Sequence, residues 1–376
     1  MRFSYRQYRD GDCAAINDLY HCVTGRLRTA DQFEWQWLRA PAGCGDMWLI
    51  EAEQDDGSVH LIGHHGLMPL VFSQGAVDLI FGKTENTMVH PDYRHRLLYP
   101  IFERTFLQQY STRFDALFST MGPAAALRQR EALGYHAREE FIRYVWLLRR
   151  SGLLDYVAWR LGYGEPSRLR RAAAFGLSGV AGSLATVAGW RKSEAENPLV
   201  ALQSREAVEH PFFETFWSHA SGGYGLTPRR TQSDLAWRFW NNPYGNFVTL
   251  VAESRFGGDR CGYAIVRQHS KGVLSLDDIV VHPYEEAAFL ELLRSVLVWC
   301  ADSGAGVVQF LTTTDDVSPR RWIEGAPLPN LADYLPAVRR AAKRSPMLRR
   351  ISEPLASRAG AAADKWYVTA FVAEGR

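Results

Sequence analysis

FEWQWLRAPAG at residues 33–43 returns as LAWRFWNNPYG at 235–245, so that Trp35, Pro41 and Gly43 are matched 202 positions later by Trp237, Pro243 and Gly245. Ala52-Glu53 then matches Ala252-Glu253, and Gly63 matches Gly262. Val89-His90-Pro91 returns as Val281-His282-Pro283, and Phe118 in ALFST returns as Phe310 in VQFLT, both at an offset of 192. Any one of these matches is worthless alone. Taken in order, with the offset drifting down as loops shorten, they confine the fold to two copies of one unit. The 376 residues, 47% of them apolar and 22% charged, are enough chain for two cores.

Each copy carries the same plan: a Trp-rich helix end, a β-hairpin of two or three strands, a strand ending in VHP, a helix and another strand. In the first copy Asp56-Gly57 and Gln74-Gly75 are the hairpin turns. In YPIFERTFLQQYSTR, Tyr99, Phe102, Phe106 and Tyr110 recur at the three-and-four spacing of one helix face. A second helix is expected from Pro123 to a stop at Gly134, followed by a last strand. The chain divides into a first unit over 1–150, a linker over 151–197 that belongs to neither copy, and a second unit over 198–376.

Composition excludes several function classes. A formal charge of +2 is too balanced to predict nucleic acid as the main partner. Cys13, Cys22, Cys44, Cys261 and Cys300 are odd in number and no two form CxxC, so reduced thiols and no metal site are expected. The charged N-terminus lacks a signal peptide's apolar core, which points to the cytoplasm. Ala172 to Trp190 is uncharged and bracketed by Arg170, Arg171, Arg191 and Lys192. Its Ala, Gly and Ser content makes a packed helix or small-residue linker the favoured reading over a membrane span. Together with the basic AVRRAAKRSPMLRRISEPL, whose simpler reading is a solvated helix face broken at Pro346, it leaves room for a peripheral contact at the inner membrane face.

The stretch TMVHPDYRHRLLYPIF is a strand, a turn and a helix, the shape of an anion site. With ALFST and EALGY further on, it resembles the GNAT superfamily of acyl-CoA-dependent N-acyltransferases, here in tandem. The resemblance implies an α/β fold of two domains, each a central mixed sheet flanked by helices. It also implies acetyl-CoA or another acyl-CoA as donor, with no metal. In that family a strand ending in VxP enters a helix through RxxGxG or RxxGxA, whose backbone amides hold the coenzyme diphosphate. Val89, Pro91 and Arg94 fit the lead-in, which assigns Met88, Val89, Arg94, His95, Arg96, Leu97, Leu98 and Tyr99 to the cofactor. Leu97 and Tyr99 stand where the family has small residues. A Cβ there crowds a diphosphate, while Arg94, His95 and Arg96 supply positive charge that glycine-rich turns do not need. In the second copy Glu285 and Glu286 follow VHP and would repel a diphosphate; structural support, an acceptor-side groove or dimerisation are the roles left to it.

Amide formation from a thioester needs a group that takes a proton from the amine. The resemblance offers Glu85 as base, on the same strand face as Val89 by alternation; the competing reading is an exposed strand carboxylate. The family's acidic tyrosine falls on Arg130, so Tyr135, next to Gly134, is the remaining candidate. His64 and His65 in GHHG are an alternative pair, although strand neighbours face opposite ways and a histidine near a turn is more often plain surface. The Trp-rich stretches read as helix faces packed on each sheet. The reading reached is an acyl-CoA-dependent N-acyltransferase acting on a small-molecule or sugar amine, an amino sugar or cell-envelope precursor by analogy with other tandem members. Its rivals are a non-catalytic scaffold of the same fold and an aminoacyl-tRNA-dependent transferase, and homodimerisation stays open.

Overall fold

The computed structural model describes residues 1–96, 98–110, 113–120, 124–149, 151–160, 199–252, 261–270, 272–313, 319–326, 328, 330–331, 345–351 and 366–372. The strands are β1 (Arg2–Gln7), β2 (Asp46–Glu53), β3 (Val59–Gln74), β4 (Val77–Val89), β5 (Ala116–Ser119), β6 (His136–Leu147), β7 (Val200–Gln203), β8 (Thr227–Pro228), β9 (Asn246–Ala252), β10 (Cys261–Ser270), β11 (Val273–His282), β12 (Val307–Thr313) and β13 (Ser345–Ile351). They run in the order β1-β2-β3-β4-β5-β13-β6-β12-β11-β10-β9-β7, with β8 added to β3.

That order reads as a palindrome of roles. In each half a meander leads to a parallel pair, β4 with β5 and β11 with β12. The repeated residues fall at matching registers: Gly63 faces Val89 across β3 and β4, and Gly262 faces Val281 across β10 and β11. Phe118 faces Lys83 in one half, and Phe310 faces Leu276 in the other. The strand beside each half's parallel pair comes from the other half, since β13 pairs with β5 and β6 pairs with β12. The two exchanged strands then pair with one another, so a single sheet passes through both copies.

A second contact carries the same symmetry. Trp35 Nε1 donates to the Trp237 carbonyl at 2.6 Å, and Trp237 Nε1 donates to the Trp35 carbonyl at 2.9 Å. Their rings stack at 5.5 Å and 21°. Each indole N–H, costly to bury alone, is satisfied by the equivalent residue of the other copy. These two tryptophans therefore also join the two copies, within a buried cluster that includes sheet residues of both. Trp37 packs on its own sheet, because Gly66 of β3 leaves room for its ring: a Cβ there would come within 2.1 Å of Trp37 Cη2. The helices bearing these tryptophans also start alike, in capping boxes of Thr29 with Gln32 and Thr231 with Asp234. That repeat, again 202 positions apart, escapes a search on identical residues.

The hairpin turns fall where expected, with Gly57 and Gly75 at positive φ, as does the stop at Gly134, φ +89. The helix after VHP spans Leu98–Tyr110, with Phe102 and Phe106 buried. The following helix is Ala124–Ala132. The basic stretch around Pro346 is corrected: Ser345–Ile351 is a strand inside the sheet, not a helix face. Proline is tolerated as its second residue, beside a register shift at Met347/Leu348. Of the linker, Gly152–Arg160 is helical. Ala172 to Trp190 lies outside the described residues. Among those described, no helix is long and apolar enough to cross a membrane, and no group of His, Cys, Asp and Glu could hold a metal ion.

Candidate active site at the parting of two strands

β4 and β5 pair only from Phe81–Ala116 to Lys83–Phe118; β4 then continues to Val89 while β5 ends at Ser119. The strands part because β4 bulges. Gly66 faces Glu85 and His64 faces Met88, with the register shifted between them. Asn86, in the bulge, has φ 47, a conformation asparagine tolerates better than most residues.

Buried groups hold the bulge in place. His64 Nδ1 donates to the Asn86 carbonyl at 2.8 Å, and His65 Nδ1 lies 2.7 Å from Thr87 Oγ1. Arg28, seated against the Tyr20 and Phe33 rings, donates to Asn86 Oδ1 at 3.1 Å. Both histidines are therefore interior residues of a sixteen-residue strand rather than surface residues near a turn. They do face opposite ways, His64 against Trp37 and His65 against Phe106. Burial lowers His64 to about 4 and His65 well below its ordinary value, so both stay neutral at physiological pH.

The unfolded chain restores the ordinary histidine value of 6.5. The stability that neutral His64 supports is thus complete above pH 6.5 and is lost as pH falls from there toward 4, by about 3 kcal/mol at the lower end. Urea denaturation across that range should show a steeper acid loss for the wild type than for His64→Asn. Equal slopes would contradict the assignment.

Glu85 is not an exposed strand carboxylate. It is 3% exposed and forms a buried ion pair with Lys83, two residues back on the same face of β4. That face carries Phe81 and is shared with Trp366 from the end of the chain, 5.6 Å from the Phe81 ring. Arg130 reaches the parting from the other side. Its Nη1 donates to Ser119 Oγ at 2.6 Å and its Nη2 to Thr87 Oγ1 at 3.3 Å, bridging the separated ends of β5 and β4. Its Nε stands 3.7 Å from Glu103 Oε1 on the helix after VHP. Tyr135 is fully buried among Trp48, Ile50, Phe102 and Phe106.

At the mouth of that helix Pro91–Arg96 forms a 3-10 turn with Arg94, His95 and Arg96 exposed. Arg94 Nε donates to the Val89 carbonyl at 3.2 Å. Met88 is buried against Leu19 and Tyr20, Val89 is half-buried, and Leu98 packs on the first-half core. Leu97 and the side chain of Tyr99 lie outside the described residues. The structure thus gathers Glu85, Met88 and Val89 on one strand and Arg94 to Arg96 at its end, with Tyr135 apart in the core. Residue-by-residue reading missed Arg28, Asn86, Thr87 and Ser119. What gathers them shows only in the folded register, where β4 takes four steps from Glu85 to Val89 against three from Gly66 to Gly63 on β3.

The second half parts in the same place, after Leu276–Phe310, but there the chain's own end fills the space. Thr313 N donates to the Val368 carbonyl at 3.1 Å, Thr313 Oγ1 donates to the Trp366 carbonyl at 2.9 Å, and Thr369 Oγ1 donates to Asp278 Oδ1 at 2.8 Å. Arg230, 1% exposed, grips Asp278 with Nε at 2.8 Å and Nη2 at 3.1 Å, and Tyr263 donates to the same carboxylate at 2.9 Å. Glu285 and Glu286 are exposed at the start of the Glu286–Asp302 helix.

A paired sheet with a bulged, parted strand leading into a helix, built twice, is the tandem GNAT fold. No protein-family model and no curated protein matches the sequence. Among solved structures, a probable N-acyltransferase from Enterococcus faecalis V583 is similar at 12% identity and a TM-score of 0.59, covering 94% of this chain and 73% of that one. A GCN5-related N-acetyltransferase from Anabaena variabilis ATCC 29413 follows at 13% and 0.57, covering 93% and 73%. A tandem GNAT protein from the clavulanic acid biosynthesis pathway gives 13% and 0.50, covering 93% and 98%. At such identities the likeness is one of fold.

Proposed function

We propose that the chain is an N-acyltransferase that takes an acyl-CoA, acetyl-CoA being the simplest, in its first half and passes the acyl group to an amine. The observation that carries this reading is the parting of β4 from β5 beyond Lys83–Phe118, which leaves the far end of β4, on the side away from β3, without a strand neighbour among the described residues. Coenzyme A has an extended arm bearing two amides, the kind of partner that pairs with a free strand edge. The arm would lead to the turn Pro91–Arg96, where helix-end amides and three basic side chains favour a diphosphate. The amine would approach from the face bearing Glu85, lose its proton to that carboxylate and attack the thioester carbonyl; the carbon–nitrogen bond forms and the carbon–sulfur bond breaks.

The reading is tested by calorimetry and thermal shift with acetyl-CoA and longer acyl-CoAs. Binding to the native state raises the melting temperature with ligand concentration. Charge reversal at Arg94 and Arg96 should weaken binding by about tenfold or more per residue, the worth of a charge-assisted contact. No binding at millimolar ligand would favour the non-catalytic scaffold.

A further inference from the structure

Arg130 departs from the chemistry expected at its position. A tyrosine there could hand a proton to the departing sulfur; a guanidinium stays protonated throughout the pH range of the reaction and cannot. Yet Arg130 is 5% exposed and spans the parted strand ends through Ser119 and Thr87. Two hydrogen bonds leave most of its five N–H donors uncommitted to these hydroxyls, and Nε has no hydrogen-bond partner among the described residues. Glu103, fully buried beside it, balances its charge.

We propose that the Arg130 guanidinium holds the leaving group as a thiolate, so that this site stabilises the anion where a tyrosine would protonate it. The inference rests on the acyltransferase reading and deepens it. The electron pair of the broken carbon–sulfur bond leaves with sulfur, the amine proton goes to Glu85, and the thiolate stays paired with Arg130 until it exchanges with solvent. A fixed charge in a water-poor site is a strong anion stabiliser, because it needs no reorganisation when charge develops. Ser119 and Thr87 fix the fork, and the helix Ala124–Ala132 carries it.

The test needs no acceptor. Free coenzyme A is titrated with pH while its thiolate is followed by ultraviolet absorbance, alone and bound to the protein. The bound thiol should ionise at least about one pH unit below the free one, a tenfold preference for thiolate. Arg130→Gln should erase that difference while coenzyme A still binds. A bound thiol that titrates like the free one, or a shift that survives the substitution, overturns the proposal. If Arg130→Gln does not fold, the wild type decides: its preference for coenzyme A over desulfo-coenzyme A should grow about tenfold from neutral to alkaline pH, and a constant preference overturns the proposal. Failure of coenzyme A to bind the wild type would sink the acyltransferase reading itself, a result distinct from a bound but unshifted thiol.

Discussion

Alanine at Asp278 is expected to destabilise the folded chain by about 3–5 kcal/mol, the cost of breaking one side of a buried ion pair. The carboxylate is fully buried and receives Arg230, Tyr263 and Thr369. Its removal strands a guanidinium that also donates to Thr227 Oγ1 and the Pro228 carbonyl and lies among the rings of Trp217, Tyr367 and Phe371. Burial, reinforced by the carboxylate, holds the Tyr263 hydroxyl well above its ordinary value, so it remains a donor throughout the accessible pH range. Replacing both partners, Arg230→Met with Asp278→Leu, should recover most of the loss, because two apolar side chains leave no uncompensated charge. Urea denaturation measures both. A single-alanine cost below about 1 kcal/mol, the range of an exposed pair, would contradict the account. The network fastens Thr369 and its neighbours into the second half's parting, the place equivalent to the proposed coenzyme site of the first half.

Glu85→Gln is expected to lower the rate of acyl transfer by about 10²–10⁴-fold, the usual contribution of a positioned base, while acyl-CoA affinity changes little. Glutamine keeps the shape and cannot take the amine's proton. The ion pair with Lys83 complicates the experiment, since the substitution leaves an ammonium buried. A double variant, Lys83→Met with Glu85→Gln, removes both charges and should regain stability without regaining turnover. Recovery of turnover in the double variant would make Glu85 a structural partner of Lys83 and nothing more.

Much of the architecture is readable in the residues. Trp35 with Trp237 and the two VHP strand ends give the duplication, and Gly57, Gly75 and Gly134 mark their turns by chemistry that acts within a few residues. The strand exchange is not readable, because which neighbour a strand chooses is set by the whole sheet and leaves no local trace. Ser345–Ile351, with Pro346 and two arginines, carries the composition of a breaker and a basic patch although it lies inside the sheet. His64 and His65 look like turn residues only if β3 is assumed short. At sixteen residues the strand puts them mid-sheet, and Gly66 beside them is small because Trp37 needs the space. For the candidate site, the residues alone offer Glu85 and the basic turn as expectations, and the structure buries Glu85 beside Lys83 and exposes the turn. The grip on the bulge by Arg28, His64 and His65 is not legible in them, since it depends on contacts between segments up to 58 positions apart.

Whether one coenzyme sits in the first half is tested most directly by a crystal structure with coenzyme A bound. The diphosphate should lie at the turn bearing Arg94, His95 and Arg96, with the amide arm between β4 and β5 and the sulfur near Arg130. Coenzyme bound between β11 and β12 in place of the chain's own end, or lying on the surface away from the first-half helix, would contradict that placement.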